Sequence, residues 1–207
     1  MASVEELLRD HPARLWRARE QGAVSTAPAG LSTGHAELDR CLPGQGWPRQ
    51  GLIEILTDDS GIGELQLVMP ALARLYAHDG AAGWLAWISP PHLPYAPAIA
   101  AWGIDVGRVL VVHAGTSTEW AMEQALRSGS CGAVLGWAAC RGRQTLRRLQ
   151  LAAEQANCLA LLFRRRRDAL HPSPAVLRLA LEGVAEGLAV HILKSRGGRL
   201  TRVLLRR

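Results

Sequence analysis

The chain has 207 residues, 48% of them hydrophobic, with 24 Lys+Arg against 18 Asp+Glu and a formal net charge of +6. That length buries a full core in one domain, and no apolar run reaches the roughly 18–20 residues of a membrane span. The charged start, MASVEELLRDHPARLWRARE, lacks the apolar stretch of a secretory signal, so the expectation is a cytoplasmic protein without membrane contact.

In chain order, residues 3–20 read as a helix, with Ser3 as N-cap, Glu6 at the capping-box position and Pro12 dividing the segment. Leu7, Leu8, Leu15 and Trp16 give it an apolar stripe, which makes Leu15 and Trp16 candidates for partner docking. The organisation expected is an N-terminal docking or oligomerisation helix over 1–21, a small-residue linker over 22–30 and a core domain over 31–207.

From residue 31 the pattern alternates. Apolar runs at 51–56, 83–88, 108–112, 132–137 and 158–163 read as parallel strands buried on both faces. Helical segments over 64–78, 95–102, 117–128 and 143–156 fill the intervals, which predicts a three-layer α/β/α arrangement. After residue 170, AVLRLALEG, GLAVHILKS and LTRVLLRR read as antiparallel strands added to one edge, with RGGR as a turn. Trp84, Trp87 and Trp137 are expected in the core; Trp47, Trp102 and Trp120 lie in helices or loops, where exposure would mark an interface.

The strand–loop–helix unit GLIEILTDDSGIGELQL has the frame of a phosphate-binding loop, G-x-x-x-x-G-K-[ST]. Thr57 and Ile62 stand at its glycine positions, Gly63 at the lysine and Glu64 at the hydroxyl. Asp58, Asp59 and Glu64 add negative charge where a triphosphate would lie. The later run CGAVLGW ends without a magnesium-binding acid, and Ser89-Pro90-Pro91 follows the second strand where a water-activating glutamate is needed. The expectation is no catalytic site, no bound cofactor and no nucleotide hydrolysis. Four cysteines without a C-x-x-C pair and seven histidines without an H-x-x-x-H pair point away from a metal centre.

Charge is segregated. Residues 1–138 carry nine Lys+Arg against 14 Asp+Glu, whereas 139–207 carry 15 against four. The run Arg164, Arg165, Arg166 and Arg167 follows an apolar strand, with Arg141 and Arg143 after the preceding one, so these cations are expected at the carboxyl edge of the sheet. Lys194, Arg196 and Arg199 form a second basic strip. Both are candidates for DNA phosphates or an acidic partner, and DNA contact of this kind is sequence-independent and salt-sensitive; the structural alternative is a solvated or edge-protecting set of charges.

LSTGHAELDRCLPGQGWPRQGLIEIL, 31–56, resembles the segment that leads RecA-type recombinases into their P-loop, and AMEQALRSGSCGAVLGW, 121–137, is similar to the helix and strand carrying their magnesium-binding acid. Two catalytically silent branches of the RecA-like proteins share this style, ImuA and SulA. The full 31–56 block, PPHLPYAP at 90–97 and LWRARE at 15–20 look like ImuA. The resemblance implies a RecA-like core with a mostly parallel sheet and antiparallel C-terminal edge strands. It further implies a non-catalytic accessory role in damage-induced translesion synthesis. The implied partners are ImuB (a Y-family-like polymerase subunit), RecA, an error-prone replicative-type polymerase, DNA and a second copy of the chain. The alternative is a SulA-like division inhibitor that binds FtsZ.

Overall fold

The computed structural model describes residues 29–77, 83–140, 142–198 and 200–206. The docking segment with Leu15 and Trp16 lies outside the described residues, as do Arg141 and Arg199. One eight-stranded sheet organises the chain: β1 Leu52–Leu56, β2 Trp84–Ile88, β3 Val109–Val112, β4 Cys131–Trp137, β5 Leu159–Arg164, β6 Leu177–Val184, β7 Gly187–Ser195 and β8 Arg202–Arg206. Their spatial order is β3-β2-β4-β5-β1-β6-β7-β8.

The five pairings from β3 to β6 are parallel and the last two antiparallel. Contrary to the antiparallel addition expected from the sequence, β6 runs parallel to β1, with Glu54 opposite Arg178. The connection 165–176 passes over β1 and returns the chain to the amino edge, where Val176 N–H donates to Leu52 O; a strand entered from that edge must be parallel. The antiparallel addition begins at β7.

Helices cover both faces of the parallel part. α1 (Ala36–Asp39) and α2 (Glu64–Tyr76) pack on one, where Leu38, Leu67, Val68 and Leu72 join Ile53, Ile55, Leu161 and Leu179. α3 (Ala96–Ala101) adds Ile99 to that layer. α4 (Thr118–Arg127) and α5 (Arg143–Ala156) cover the other, where Met122, Leu126, Leu146 and Leu149 meet Leu52, Val134, Ala160 and Leu162. Alternate residues of each strand feed the two layers, as the pleat requires. Glu123 ties α4 to α5, accepting Arg127 at 2.9 Å and Arg148 at 3.3 Å.

The S-T-G-x-x-x-L-D block folds as a local clamp. Ser32 Oγ donates to one Asp39 oxygen at 2.7 Å and Thr33 N–H to the other at 2.8 Å. Gly34 sits at φ +88°, and a Cβ there would stand 2.3 Å from Pro70 of α2, so the block sets the approach of α1 to α2. Trp47, placed in a loop by the sequence, is fully buried in the core. Trp84 reverses its expectation: at 47% exposure it projects from the first position of β2, where a register shift against β4 leaves it at the sheet's amino end.

Candidate functional site at the carboxyl edge of the sheet

The loop between β1 and α2 has the backbone of an anion cradle. Gly61 and Gly63 adopt φ of +80° and +110°, which turns successive N–H groups toward one point. A carboxylate from the same chain occupies that point. Gly61 N–H is shared between Glu64 Oε1 at 2.9 Å and Oε2 at 3.0 Å, and Gly63 N–H donates to Oε2 at 3.2 Å. Thr57 Oγ1 closes the loop onto Asp59 O at 2.9 Å, while Asp58 Oδ1 accepts the Arg166 N–H at 3.1 Å. A phosphate entering here must displace Glu64 and then meet its charge and those of the exposed Asp58 and Asp59.

At the end of β4, a Cβ on Gly136 would stand 2.6 Å from Met122 Sδ, so a side chain there must displace the Met122 thioether. Trp137 stacks on Phe163 with centroids 4.7 Å apart and tilts against Trp87 at 5.5 Å. At the end of β2, Ser89 sits at φ +52°, its hydroxyl within 2.7 Å of Thr118 Oγ1 and accepting Ala114 N–H at 3.2 Å. This serine fastens the loop to the start of α4.

Beneath the crossover 165–176 lies a buried ionic cluster. Glu54, fully buried in the middle of β1, accepts Arg178 Nε at 2.7 Å, an Arg164 guanidinium nitrogen at 3.2 Å and Ser173 Oγ at 2.6 Å. Arg164 also donates to Cys140 O at 2.7 Å and pairs with Asp168 at 3.5 Å, while Arg178 donates to Asp168 O at 2.9 Å. Lys194, on β7 beside Arg178 of β6, donates to Ser173 O at 2.8 Å. Burial, then the neighbouring Arg196 and Arg178, lowers the Lys194 ammonium below its ordinary range. A buried carboxylate is costly unless paired and hydrogen-bonded, and here Arg164 of β5, Arg178 of β6 and Ser173 of the crossover supply its partners.

Glu54 was the residue that sequence reasoning missed. Its signal was present: a lone acid inside LIEIL, with Arg178 interrupting a second apolar strand and Arg164 ending a third. The same cluster changes the arginine run. Arg164 is only 6% exposed and points inward, because it continues the in–out alternation of β5 toward Glu54 on the adjoining strand. Arg165 and Arg167 are exposed; Arg166 is half-buried, with Glu182 3.8 Å away.

The candidate cations thus fall into two groups. Arg143 at the start of α5 and Arg165–Arg167 after β5 lie at the carboxyl edge, where the Arg166 N–H meets Asp58. Lys194 and Arg196 lie at the opposite, amino edge, because β7 runs antiparallel and ends there. Most exposed apolar side chains lie elsewhere, Leu93, Tyr95, Trp102 and Leu110 on or between β2 and β3 and Trp120 on α4, while Leu170 is exposed within the crossover itself.

Cys140 and Cys158 are buried free thiols, pushed up to about 12 chiefly by desolvation. Glu119 adds to the shift at Cys140 and Cys131 to that at Cys158. Among the described residues no cluster of three or more His, Cys, Asp or Glu side chains could hold a metal ion, and no helix is long and apolar enough to cross a membrane.

These features describe a mixed α/β protein whose sheet keeps a cradle-shaped loop, filled by its own glutamate, beside an arginine-bearing crossover. No family model matches the chain. It is 31% identical over 121 residues to the cell division inhibitor SulA of Serratia proteamaculans, a match covering 57% of this chain and 70% of that protein. SulA of Edwardsiella piscicida is 29% identical over 144 residues, covering 68% and 84%. Protein ImuA of Caulobacter vibrioides is 28% identical over 153 residues, covering 71% of this chain and 62% of that protein. A crystal structure of SulA from Pseudomonas aeruginosa, 22% identical, has a TM-score of 0.43 and covers 55% of this chain and 97% of that one. The chain belongs to the SulA-related family, with ImuA among its relatives.

Proposed function

We propose that this chain is a non-catalytic, RecA-like adaptor of the ImuA kind, acting in the SOS response to couple translesion synthesis to damaged DNA. The observation that carries the reading is the self-filled cradle: the strand–loop–helix frame is intact, yet Glu64 supplies the anion that a nucleotide phosphate would otherwise provide. The magnesium-acid position is a glycine packed under Met122, and the positions after β2 hold Ser89 and two prolines. A scaffold that has replaced its chemistry in three places retains value as a binding surface.

The partners under this reading are ImuB, RecA and an error-prone replicative-type polymerase in the cytoplasm. Arg143, Arg165, Arg166 and Arg167 at the carboxyl edge form the surface for an acidic partner or DNA phosphates; Arg164 serves as their buried anchor. Arg141 belongs to the same loop by sequence. Lys194, Arg196 and Arg199 form a separate strip, and Leu15 and Trp16 serve docking or self-association. Retention of this chain by immobilised ImuB and RecA, lost on replacing Arg165 and Arg167, tests the reading. Saturable ATP hydrolysis by the purified chain, abolished by changing Gly63 or Glu64, contradicts it.

A second reading, a SulA-like inhibitor binding FtsZ, is favoured by one observation: the match to the Edwardsiella SulA covers 84% of that protein, against 62% for the ImuA relative. Filamentation on expression, together with retention by FtsZ, decides for it.

A further inference from the structure

The β7–β8 hairpin carries cations that no acid of its own offsets: residues 187–207 contain six Lys+Arg and neither Asp nor Glu. Lys194 is half-buried, Arg196 and Arg202 are exposed, and Arg199 belongs to the same turn by sequence. The turn is fixed at several points. Gly197 takes φ +80°, Ile192 N–H donates to Thr201 O at 2.8 Å and Arg196 N–H to Val176 O at 3.2 Å. Gly198 lies against the loop that leads into β1, since a Cβ there would stand 2.9 Å from the Pro43 ring. That contact sets the hairpin beside segment 40–49, whose Arg40 and Arg49 are exposed. Arg49 adjoins Cys158 and Leu159 at the start of β5. Two strand spacings, about 10 Å, separate that point from the start of β6, where Arg196 is tied.

The two basic edges differ in what balances them. At the carboxyl edge Arg143, Arg165, Arg166 and Arg167 stand among Asp58, Asp59, Glu64 and Glu182, and Arg166 meets two of these acids. At the amino edge, among the described residues, Arg40, Arg49, Lys194, Arg196 and Arg202 stand with Glu37, Asp39 and Glu154. Asp39 is already held by Ser32 and Thr33, and Glu154 by Gln150. Positive potential therefore remains open at the amino edge and is largely cancelled at the other. Charges on an outer strand such as β8 also block pairing with other sheets, but Arg196 stands in a turn and Arg40 and Arg49 on another segment, where no pairing needs blocking. We propose that the β7–β8 turn, with Arg40 and Arg49 beside it, binds the phosphate backbone of DNA. The hairpin has no aromatic residue on which a base could stack, so the contact is electrostatic and does not read sequence. The carboxyl-edge arginines are left to a protein partner.

This assignment rests on the proposed role at damaged DNA, whose phosphate contact it places. The test is fluorescence anisotropy of the full chain with a labelled duplex of about 20 base pairs, and with a single strand of that length, between about 50 and 200 mM salt. About four phosphate contacts give the duplex a log–log salt slope of about −3 to −4. Arg196→Ala with Arg202→Ala should weaken binding at least about tenfold and flatten the slope by about two. Arg165→Ala with Arg167→Ala should leave both nearly unchanged. Arg196→Lys with Arg202→Lys keeps the charges and should bind as the unmodified chain does, which separates lost charge from lost fold. No binding at the lowest salt, an equal loss from the carboxyl-edge pair, or lysine variants as weak as the alanine ones would each overturn the site. Retention by immobilised ImuB and RecA, measured on the same preparations, separates the two claims. Retention without DNA binding removes this site and keeps the adaptor reading; DNA bound through the hairpin with neither protein retained does the reverse.

Discussion

Arg178 Nε lies 2.7 Å from Glu54 Oε2, and the contact joins two strands that the sequence separates by more than a hundred residues. With Arg164 and Ser173 on the other oxygen, Glu54 fixes both ends of the crossover that presents Arg165 and Arg167. Removing one member leaves a buried charge unpaired. Glu54→Ala, Arg164→Ala and Arg178→Ala are each expected to lower unfolding free energy by about 3–5 kcal/mol, whereas combined replacement of all three by Leu or Met, with Asp168→Asn so that no buried carboxylate is left unpaired, costs little or nothing. Urea unfolding of the four variants checks this, and equal losses for single and combined changes would refute the pairing.

The cradle gives a milder prediction because its hydrogen bonds are solvent-exposed. Glu64→Ala removes the acceptor for Gly61 and Gly63 and should cost about 0.5–1.5 kcal/mol in chemical unfolding. It does not create a nucleotide site, since Asp58 and Asp59 remain. ATP titration of this variant by calorimetry is expected to be silent; tight, magnesium-dependent binding would show that Glu64 alone had excluded phosphate.

The end of β4 leaves little room for a side chain. Gly136→Asp, which places a carboxylate there, brings its Cβ against Met122 Sδ. Overpacking of this kind costs about 1–3 kcal/mol. A melting temperature unchanged by the substitution, or raised by magnesium, would contradict this account.

Thiol reactivity provides the pH test. Burial holds Cys140 and Cys158 as neutral thiols, raised from 9.0 to about 12, so both should alkylate at least about tenfold more slowly at pH 8 than the half-buried Cys41. A thiol whose pKa is raised by folding stabilises the fold in full below its unfolded pKa. That contribution is lost as pH climbs through the folded value. Stability should therefore fall between about pH 9 and 12, and less steeply in a Cys140→Ser, Cys158→Ala double variant. Peptide mapping of iodoacetamide adducts and alkaline unfolding curves check both parts.

The sequence made much of the scaffold legible. Apolar runs of five or six residues separated by helical periodicity located β1 to β5 and the four longer helices, because parallel strands buried on both faces, as β1 and β5 are, leave little choice of residue type; the edge strand β3 is half-exposed and still reads as apolar. The direction of β6 was not legible. Its apolar alternation fits either orientation, and only the path of 165–176 over β1 decides between them. Arg164 shows the same limit at the candidate site. Four consecutive arginines look equivalent in a string, yet the pleat turns the first toward Glu54 and leaves the next to solvent. Trp84, expected in the core, is exposed, while Trp47, in a loop as expected, is buried, because burial depends on what covers a position, not on the element that carries it.

The most direct test of the central claim is co-purification of this chain with its cognate ImuB, then with RecA, at low and moderate salt, beside a variant with Arg165 and Arg167 replaced by Ala. Arg164 is left intact so that the buried cluster, and with it the fold, is preserved. The adaptor account predicts a stable complex with the unmodified chain and loss of at least about tenfold in affinity for the variant, the scale of removing a pair of interface arginines. Absence of any complex with either protein, with FtsZ retained instead, would contradict it and assign the chain to division control.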